Sequence, residues 1–285
     1  MGPCCPPCIP YEASDPLRGL IPGPWSKIVT LAKNVIVTGM ARSGTSMTVA
    51  ALRRYGYWVA EDEGAELQSA DRFNPSGYWE RSAILDANRA VLKAAGFEHD
   101  NTWMFDPISP AIAKKISELT PLPVHRELVA RYREHQPWVW KDPRFCFTLP
   151  YWLKLLDPKE IAVLLVLRNE DEIVRSFRRV QWRRDQREEP LRRCILQHWE
   201  AARSAITSTG VGCVEIHYSD FSKRPRALAD AISEQVGVRL DSDGLGYRSE
   251  HNTSSLLGRI RWGLEAAADT VPSSVRKAVK RVTKR

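Results

Sequence analysis

Val35-Ile-Val-Thr-Gly-Met-Ala-Arg-Ser-Gly-Thr-Ser46 is the stretch that decides the fold, and it continues into Met47-Thr-Val-Ala-Ala-Leu52. Its first residues are apolar or β-branched and predict a strand, its two glycines predict a tight loop, and the segment that follows suits a helix. The backbone N–H groups of such a loop and of the first helical turn point at one spot, where the helix dipole favours negative charge. The stretch therefore predicts an anion site.

The side chains of this loop suit a phosphate or a sulfate. Gly39 and Gly44 have the G-x-x-x-x-G spacing of nucleotide-binding loops, but Thr45 stands where a nucleotide triphosphatase carries its phosphate-binding lysine. The cation lies inside the loop instead, at Arg42. Further hydroxyl donors are Ser43, Thr45 and Ser46.

Length and composition indicate one globular α/β domain with insertions. The chain has 285 residues, of which 43% are hydrophobic and 27% are charged, and its longest purely apolar run, 161–167, is too short to span a bilayer. The net charge of +8 favours an anionic ligand. We expect a flexible Pro- and Cys-rich leader over 1–26, the domain over 27–268 and a basic tail over 269–285.

The termini and the cysteines give further expectations. Residues 1–26 lack the basic start and apolar core of a secretory signal, and Cys4, Cys5 and Cys8 lack a second Cys/His pair at zinc-site spacing. The other cysteines lie in apolar contexts, which favours reduced thiols and a cytoplasmic protein. The basic tail is compatible with a helix that touches an anionic membrane surface and equally with a soluble, frayed terminus.

Charged residues follow two further predicted strands. Trp138-Val-Trp140 runs into Lys141, Asp142 and Arg144, and the continuously apolar stretch 161–167 runs into Arg168 and an acidic helix start. Ligands of open parallel sheets bind at the carboxyl ends of the strands, so these charges lie where we expect chemistry. A turn-rich loop, 72–80, also ends in a carboxylate, Glu80, before a helix predicted over 82–95.

The order of these motifs resembles that in sulfotransferases of the bacterial type, which use 3′-phosphoadenosine-5′-phosphosulfate (PAPS). Arg42-Ser-Gly-Thr-Ser46 resembles the family's 5′-phosphosulfate loop, and Asn74-Pro-Ser-Gly-Tyr-Trp-Glu80 resembles the segment that follows it. Arg168 lies at a predicted strand end, and Ser176 follows eight positions later. They resemble the family's pair of residues that binds the 3′-phosphate of PAPS. Tyr218-Ser-Asp-Phe221 resembles the family's Tyr-Glu-Asp-Leu, which makes Tyr218 a weaker candidate near the adenine.

The family's catalytic lysine has a counterpart in this sequence, but the family's histidine base does not. Lys141 matches the lysine of the Lys-Thr-His-Leu-Pro segment of cytosolic sulfotransferases, whereas Pro143 stands in the place of the histidine. Either Glu80 or Asp142 must then accept the proton of the acceptor, and both alternatives stay open. For Asp142 and Arg144, an ion pair that closes a turn is the structural alternative.

The resemblance implies a three-layer α/β/α fold with a central parallel sheet, like that of P-loop kinases. It also implies transfer of a sulfuryl group from PAPS to a hydroxyl of a carbohydrate, lipid or small natural product, without a metal. The alternatives are a Mg²⁺-dependent P-loop kinase or hydrolase and a non-catalytic anion-binding protein. The arginine-rich stretch 175–193 is interrupted by acidic residues, so we interpret it as a solvated helical surface and expect no nucleic-acid partner.

The remaining segments give structural expectations. A short second strand is predicted at 58–60, and helices are predicted at 111–119 and 122–135, the latter with Thr120 as N-cap. His99, His125 and His135 are interpreted as surface or capping residues. Trp103 and Phe105 are interpreted as core residues or as lining of an acceptor pocket. Arg248 is a candidate for a nucleotide clamp.

Overall fold

The structure is a computed structural model that describes residues 32–70, 74, 77–98, 106–180 and 188–246. The predicted leader, the basic tail and the outer limits of the predicted domain lie outside these residues. The same holds for the expectations at Cys4, Cys5, Cys8, His99, Trp103, Phe105 and Arg248.

A parallel sheet forms the centre of the described chain. Its strands are β1 (Asn34–Thr38), β2 (Val139–Lys141), β3 (Ile161–Leu167) and β4 (Gly212–His217), and they lie side by side in the order β2-β1-β3-β4. All three pairings are parallel, with Val37 opposite both Lys141 and Leu164. The carboxyl ends of the strands therefore meet at one edge, with β1 between β2 and β3.

Helices connect the strands. Those between β1 and β2 are α1 (Thr45–Arg54), α2 (Glu63–Glu66), α3 (Ser82–Ala94), α4 (Pro110–Glu118) and α5 (Pro123–Tyr132). One helix, α6 (Phe145–Trp152), precedes β3, and α7 (Glu170–Arg179) and α8 (Glu188–Thr209) precede β4. The short α9 (Asp220–Lys223) and α10 (Pro225–Val236) follow β4.

The helices cover both faces of the sheet, because neighbouring residues of each strand point to opposite sides. Val35 and Val37 pack with residues of α1 and α10, whereas Ile36 packs with residues of α3 to α6 and α8. Every residue of β1, β2 and β3 is buried, as expected for strands covered on both faces. The predicted three-layer α/β/α fold with a central parallel sheet is confirmed.

Several local expectations are wrong. Only Trp58 of 58–60 reaches the sheet, through one bridge to Trp138, so this segment does not form a strand. Helix α5 begins at Pro123 with Leu122 as its N-cap, not at Thr120. His125 is no surface residue: it is 3% exposed, and its Nδ1 lies 2.6 Å from the hydroxyl of Tyr151, because α5 turns this ring into the aromatic core.

Candidate active site

The predicted loop lies between the buried end of β1 and the start of α1. Gly39 has φ 139°, and a Cβ atom there would collide with the carbonyl oxygen of Val166 in β3. Gly44, also left-handed at φ 105°, is the N-cap of α1, and no side chain caps this helix end. Glycines thus let the chain turn close to β3 and leave the start of α1 available to an anion.

The buried hydroxyl group of Ser43 bears on whether this loop suits an anion. Its hydroxyl oxygen is buried and has no hydrogen-bond partner in the described part of the chain. A buried polar group without a partner costs about 1–3 kcal/mol. An anion bound in the loop would accept this hydrogen bond, so the residue fits a phosphate or sulfate group.

Four predicted donor-binding residues lie together beside the loop. Arg42 donates from Nε to Ser176 Oγ at 3.0 Å, and Arg168 donates from Nη1 to the carbonyl oxygen of Arg42 at 3.1 Å. The guanidinium carbon of Arg168 lies 4.1 Å from the centre of the Tyr218 ring. Tyr218 in turn packs against Gly44, where a Cβ atom would lie 2.6 Å from the ring. The motifs that the sequence separates by more than 120 residues thus form one site.

Several arginines bring positive charge to this site, and one of them pairs with a carboxylate. Arg168 Nε donates to Glu172 Oε2 at 2.7 Å. Burial, together with the charges of Arg42, Arg168 and Arg175, lowers the pKa of Arg179 to about 10. The lowered pKa means that the surroundings of Arg179 disfavour a further positive charge. An anion with more than one negative charge would relieve this repulsion.

Lys141 and Glu80 form a pair next to the same loop. Lys141 is 4% exposed, and its Nζ lies 2.5 Å from Glu80 Oε1 and 3.0 Å from the Tyr78 carbonyl oxygen. The Tyr78 oxygen also accepts from Ser46 Oγ at 3.1 Å, and Asn74 Nδ2 donates to Ser46 Oγ at 3.2 Å. The first helical turn of α1 is therefore linked to the lysine through a single carbonyl group.

Asp142 lies in a buried polar network. Its Oδ1 accepts from Arg144 N at 2.9 Å and from Arg144 Nη1 at 3.1 Å, and its Oδ2 accepts from Asn88 Nδ2 at 2.8 Å. Burial raises the pKa of Asp142, and the Arg144 guanidinium opposes this shift. Asn88 Oδ1 accepts from Thr148 Oγ1 at 2.6 Å and from Trp152 Nε1 at 2.8 Å, so the network joins α3 to α6.

Two contributors to the site were missed in the sequence. Asn88 is fully buried on the apolar face of α3, where a polar side chain at helical spacing with Ile84 and Val91 was a signal that it has a buried partner. The carbonyl of Tyr78 gave no signal, because a backbone oxygen carries no sequence information.

Two features are absent from the residues that the structure describes. No group of three or more His, Cys, Asp or Glu residues suited to a metal ion occurs in the described ranges. No helix in the part of the chain that the structure describes is long and apolar enough to cross a bilayer.

Comparison with known proteins points to one family. A sequence model described as "Sulfotransferase family" matches residues 34–242, which is more than half of the chain. No curated protein matches the sequence.

Similar solved structures include the sulfotransferase domain of the olefin synthase of Synechococcus PCC 7002. It has 14% sequence identity and a TM-score of 0.43, and the match covers 80% of this chain and 82% of the other. A sulfotransferase from Mycobacterium tuberculosis H37Rv has 14% identity and a TM-score of 0.43, with 83% and 79% covered. A sulfotransferase domain of the curacin biosynthetic pathway has 13% identity and a TM-score of 0.40, with 80% and 82% covered.

Proposed function

Because the chain belongs to the sulfotransferase family, we propose that it transfers a sulfuryl group from PAPS to a hydroxyl of a carbohydrate, lipid or small natural product. Adenosine 3′,5′-bisphosphate is the second product. The observation that supports this most is the convergence of Arg42, Arg168 and Ser176 within hydrogen-bond distance at the end of the sheet. Two cations and a hydroxyl at one place suit a phosphate better than any neutral ligand.

The donor site has two parts in this proposal. The loop amides, with Arg42 and the hydroxyls of Ser43, Thr45 and Ser46, hold the 5′-phosphosulfate at the start of α1. Arg168 and Ser176 take the 3′-phosphate. The hydrogen bond between Arg42 and Ser176 joins the two parts, so the bound nucleotide lies across it. Tyr218, which packs on Gly44 and Arg168, offers a ring next to the nucleotide.

Lys141 acts on the group that is transferred, and Glu80 acts on the acceptor. The acceptor oxygen attacks the sulfur, the bond from sulfur to the 5′-phosphate oxygen breaks, and the acceptor proton passes to the Glu80 carboxylate. Lys141 stabilises the negative charge that builds up on the transferred group and on the leaving phosphate. The pair is nearly buried, which strengthens this electrostatic effect because little water screens it.

Glu80 suits the role of base better than Asp142. Both oxygens of Asp142 already accept hydrogen bonds from Arg144 or Asn88, and the side chain is fully buried. The side chain of Glu80 is 13% exposed and lies against Lys141. We therefore propose that Glu80 accepts the proton and that Asp142 supports the strand end that carries Lys141.

The proposal assigns the role that magnesium plays in kinases to the fixed cations Arg42, Lys141 and Arg168. It also assigns the protein to the bacterial cytoplasm, and the free thiols of Cys146 and Cys194 fit such a reducing compartment. It includes no nucleic-acid partner. Contact of the basic tail with a membrane surface stays a prediction on residues outside the described part.

Turnover by a Glu80→Gln variant tests the proposal. The purified protein is incubated with PAPS and separate pools of sugars, phenols and hydroxylated lipids, and release of adenosine 3′,5′-bisphosphate is measured by mass spectrometry. We expect acceptor-dependent release, reduced about 10²- to 10⁴-fold in Glu80→Gln, while adenosine 3′,5′-bisphosphate still binds because Arg168 and Ser176 are unchanged.

Glu63→Gln is the matched control, because Glu63 pairs with Arg53 at the surface. It should keep full turnover. Full activity of Glu80→Gln would exclude Glu80 as the base. Phosphoryl transfer from ATP with magnesium, without sulfuryl transfer, would favour the kinase alternative, and binding without turnover of any acceptor would favour the non-catalytic one.

A further inference from the structure

We propose that Arg179 is a further binding residue of the nucleotide site, where it contacts the same phosphate as Arg168 and Ser176. This inference rests on the proposed function and extends it by a residue that contributes to selection of a 3′-phosphorylated nucleotide. It is carried by the position of Arg179 on α7 and by the charges around it.

Helical geometry places Arg179 next to Ser176. The two residues are three positions apart on α7, so their side chains lie on one face of this helix. Ser176 is 2% exposed and accepts the hydrogen bond from Arg42. The Nη1 atom of Arg179 is itself buried. The guanidinium of Arg179 is thus directed into the molecule on the side that carries the predicted phosphate contact.

The charges around Arg179 are those of an anion site. Arg42, Arg168 and Arg175 are close enough to disfavour its positive charge. Like charges repel, so positive charges that influence one another in this way are stabilised by a bound anion. Adenosine 3′,5′-bisphosphate carries several negative charges at neutral pH and would supply this compensation.

Arg178 and Arg193 show how an arginine is placed when it belongs to a solvated helical surface. Arg178 has a side chain that is 62% exposed, and its Nη1 lies 2.6 Å from Glu188 Oε1. Arg193 is 70% exposed and pairs with Glu189. These two residues agree with the solvated helical surface that the sequence indicates for 175–193, of which 181–187 lie outside the described residues. Arg179, which is only partly exposed and has a buried Nη1 atom, departs from that surface.

Calorimetric titration of two nucleotides tests this assignment. Adenosine 3′,5′-bisphosphate and adenosine 5′-phosphate are each titrated into the wild type, Arg179→Gln and Arg178→Gln. Loss of a hydrogen bond from a charged group weakens binding by about 10- to 100-fold. We expect a loss of this size for Arg179→Gln with the bisphosphate, a loss below about threefold with the monophosphate, and none for Arg178→Gln.

The Arg179→Lys variant distinguishes a role of Arg179 in binding from a purely structural role. It keeps the charge, and we expect it to recover at least part of the affinity for the bisphosphate without changing affinity for the monophosphate. Equal losses for both nucleotides in Arg179→Gln, or bisphosphate affinity equal to that of Arg178→Gln, would overturn the role of Arg179. In those cases a wild-type preference for the bisphosphate would leave the proposed function intact, whereas a wild type without that preference would overturn both.

Discussion

Two residues of the site hold left-handed backbone angles although they are not glycine. Arg42 has φ 70° and Trp79 has φ 58°. Such angles cost about 1–3 kcal/mol each, and they persist only where the surroundings hold them. Arg42 directs its guanidinium to Ser176, and Trp79 lies directly between Tyr78 and Glu80, the two residues that contact Lys141. The strain therefore lies where the proposed chemistry needs fixed positions.

Asp142 should contribute to stability through its buried ion pair with Arg144. Asp142→Asn removes the buried charge that compensates Arg144, and breaking such a pair costs about 3 kcal/mol. We expect this loss in the free energy of unfolding measured with urea. The control is Asp86→Asn, because Asp86 pairs with Arg89 at the surface, and it should cost less than about 0.5 kcal/mol. Equal stability of the two variants would contradict the buried role of Asp142.

At this scale, the sequence predicts residues whose spacing is local. Arg168 and Ser176 were identified because they resemble a pair of the sulfotransferase family with the same separation of eight positions, and both contact Arg42. The partner of Asp142 could not be predicted, because Asn88 lies 54 positions away and meets it only after α3 has packed on α6. The burial of His125 was missed for the same reason, since Tyr151 comes from another helix.

At the scale of elements, the sequence pattern predicted the strands and helices that have a single strong signal. The continuous apolar run of β3 was identified with its observed bounds, Ile161–Leu167. Helix α6 was not predicted, because it is buried nearly all round, contains Pro150 and follows a charged turn. The sequence wrongly predicted a strand at Trp58, which forms only one bridge to the sheet. A residue that favours strands gives the same sequence signal whether it forms one bridge or a full strand.

The contact of α8 with α6 should make stability depend on pH. His198 of α8 is 1% exposed, stacks edge-on against Phe147 at 4.6 Å, and donates from Nδ1 to the Cys194 carbonyl oxygen at 2.6 Å. Burial, with a smaller effect of the Arg144 charge, lowers the pKa of His198 to about 4. The unfolded chain has the ordinary value near 6.5, so it binds the proton first as the pH falls.

Stability from this residue is therefore complete above about pH 6.5 and decreases towards pH 4, by up to about 3 kcal/mol. Urea unfolding of the wild type and of His198→Gln across this range measures the effect as the difference between the two proteins. His217→Gln is the control, because His217 is exposed at the end of β4. If His198→Gln loses as much stability as the wild type between pH 6.5 and 4, the buried histidine is not responsible.

The whole molecule explains why residues so far apart in sequence act together. β1 lies between β2 and β3, so the loop after β1 is flanked by Lys141 at the end of β2 and by Arg168 just beyond β3. Three carboxyl ends of parallel strands thus bring their cations to one edge, where ligands of such sheets bind. The strand order itself was not predictable from local patterns, because it depends on long-range pairing across the sheet.

The central claim is that this edge binds a 3′-phosphorylated nucleotide through fixed cations. Calorimetry of adenosine 3′,5′-bisphosphate against ATP, each with magnesium and with EDTA, tests it most directly. We expect the bisphosphate to bind at least about tenfold more tightly than ATP, a difference of about 1.4 kcal/mol, and with equal affinity in magnesium and in EDTA. Preference for ATP that requires magnesium would contradict the account and would favour a kinase or hydrolase.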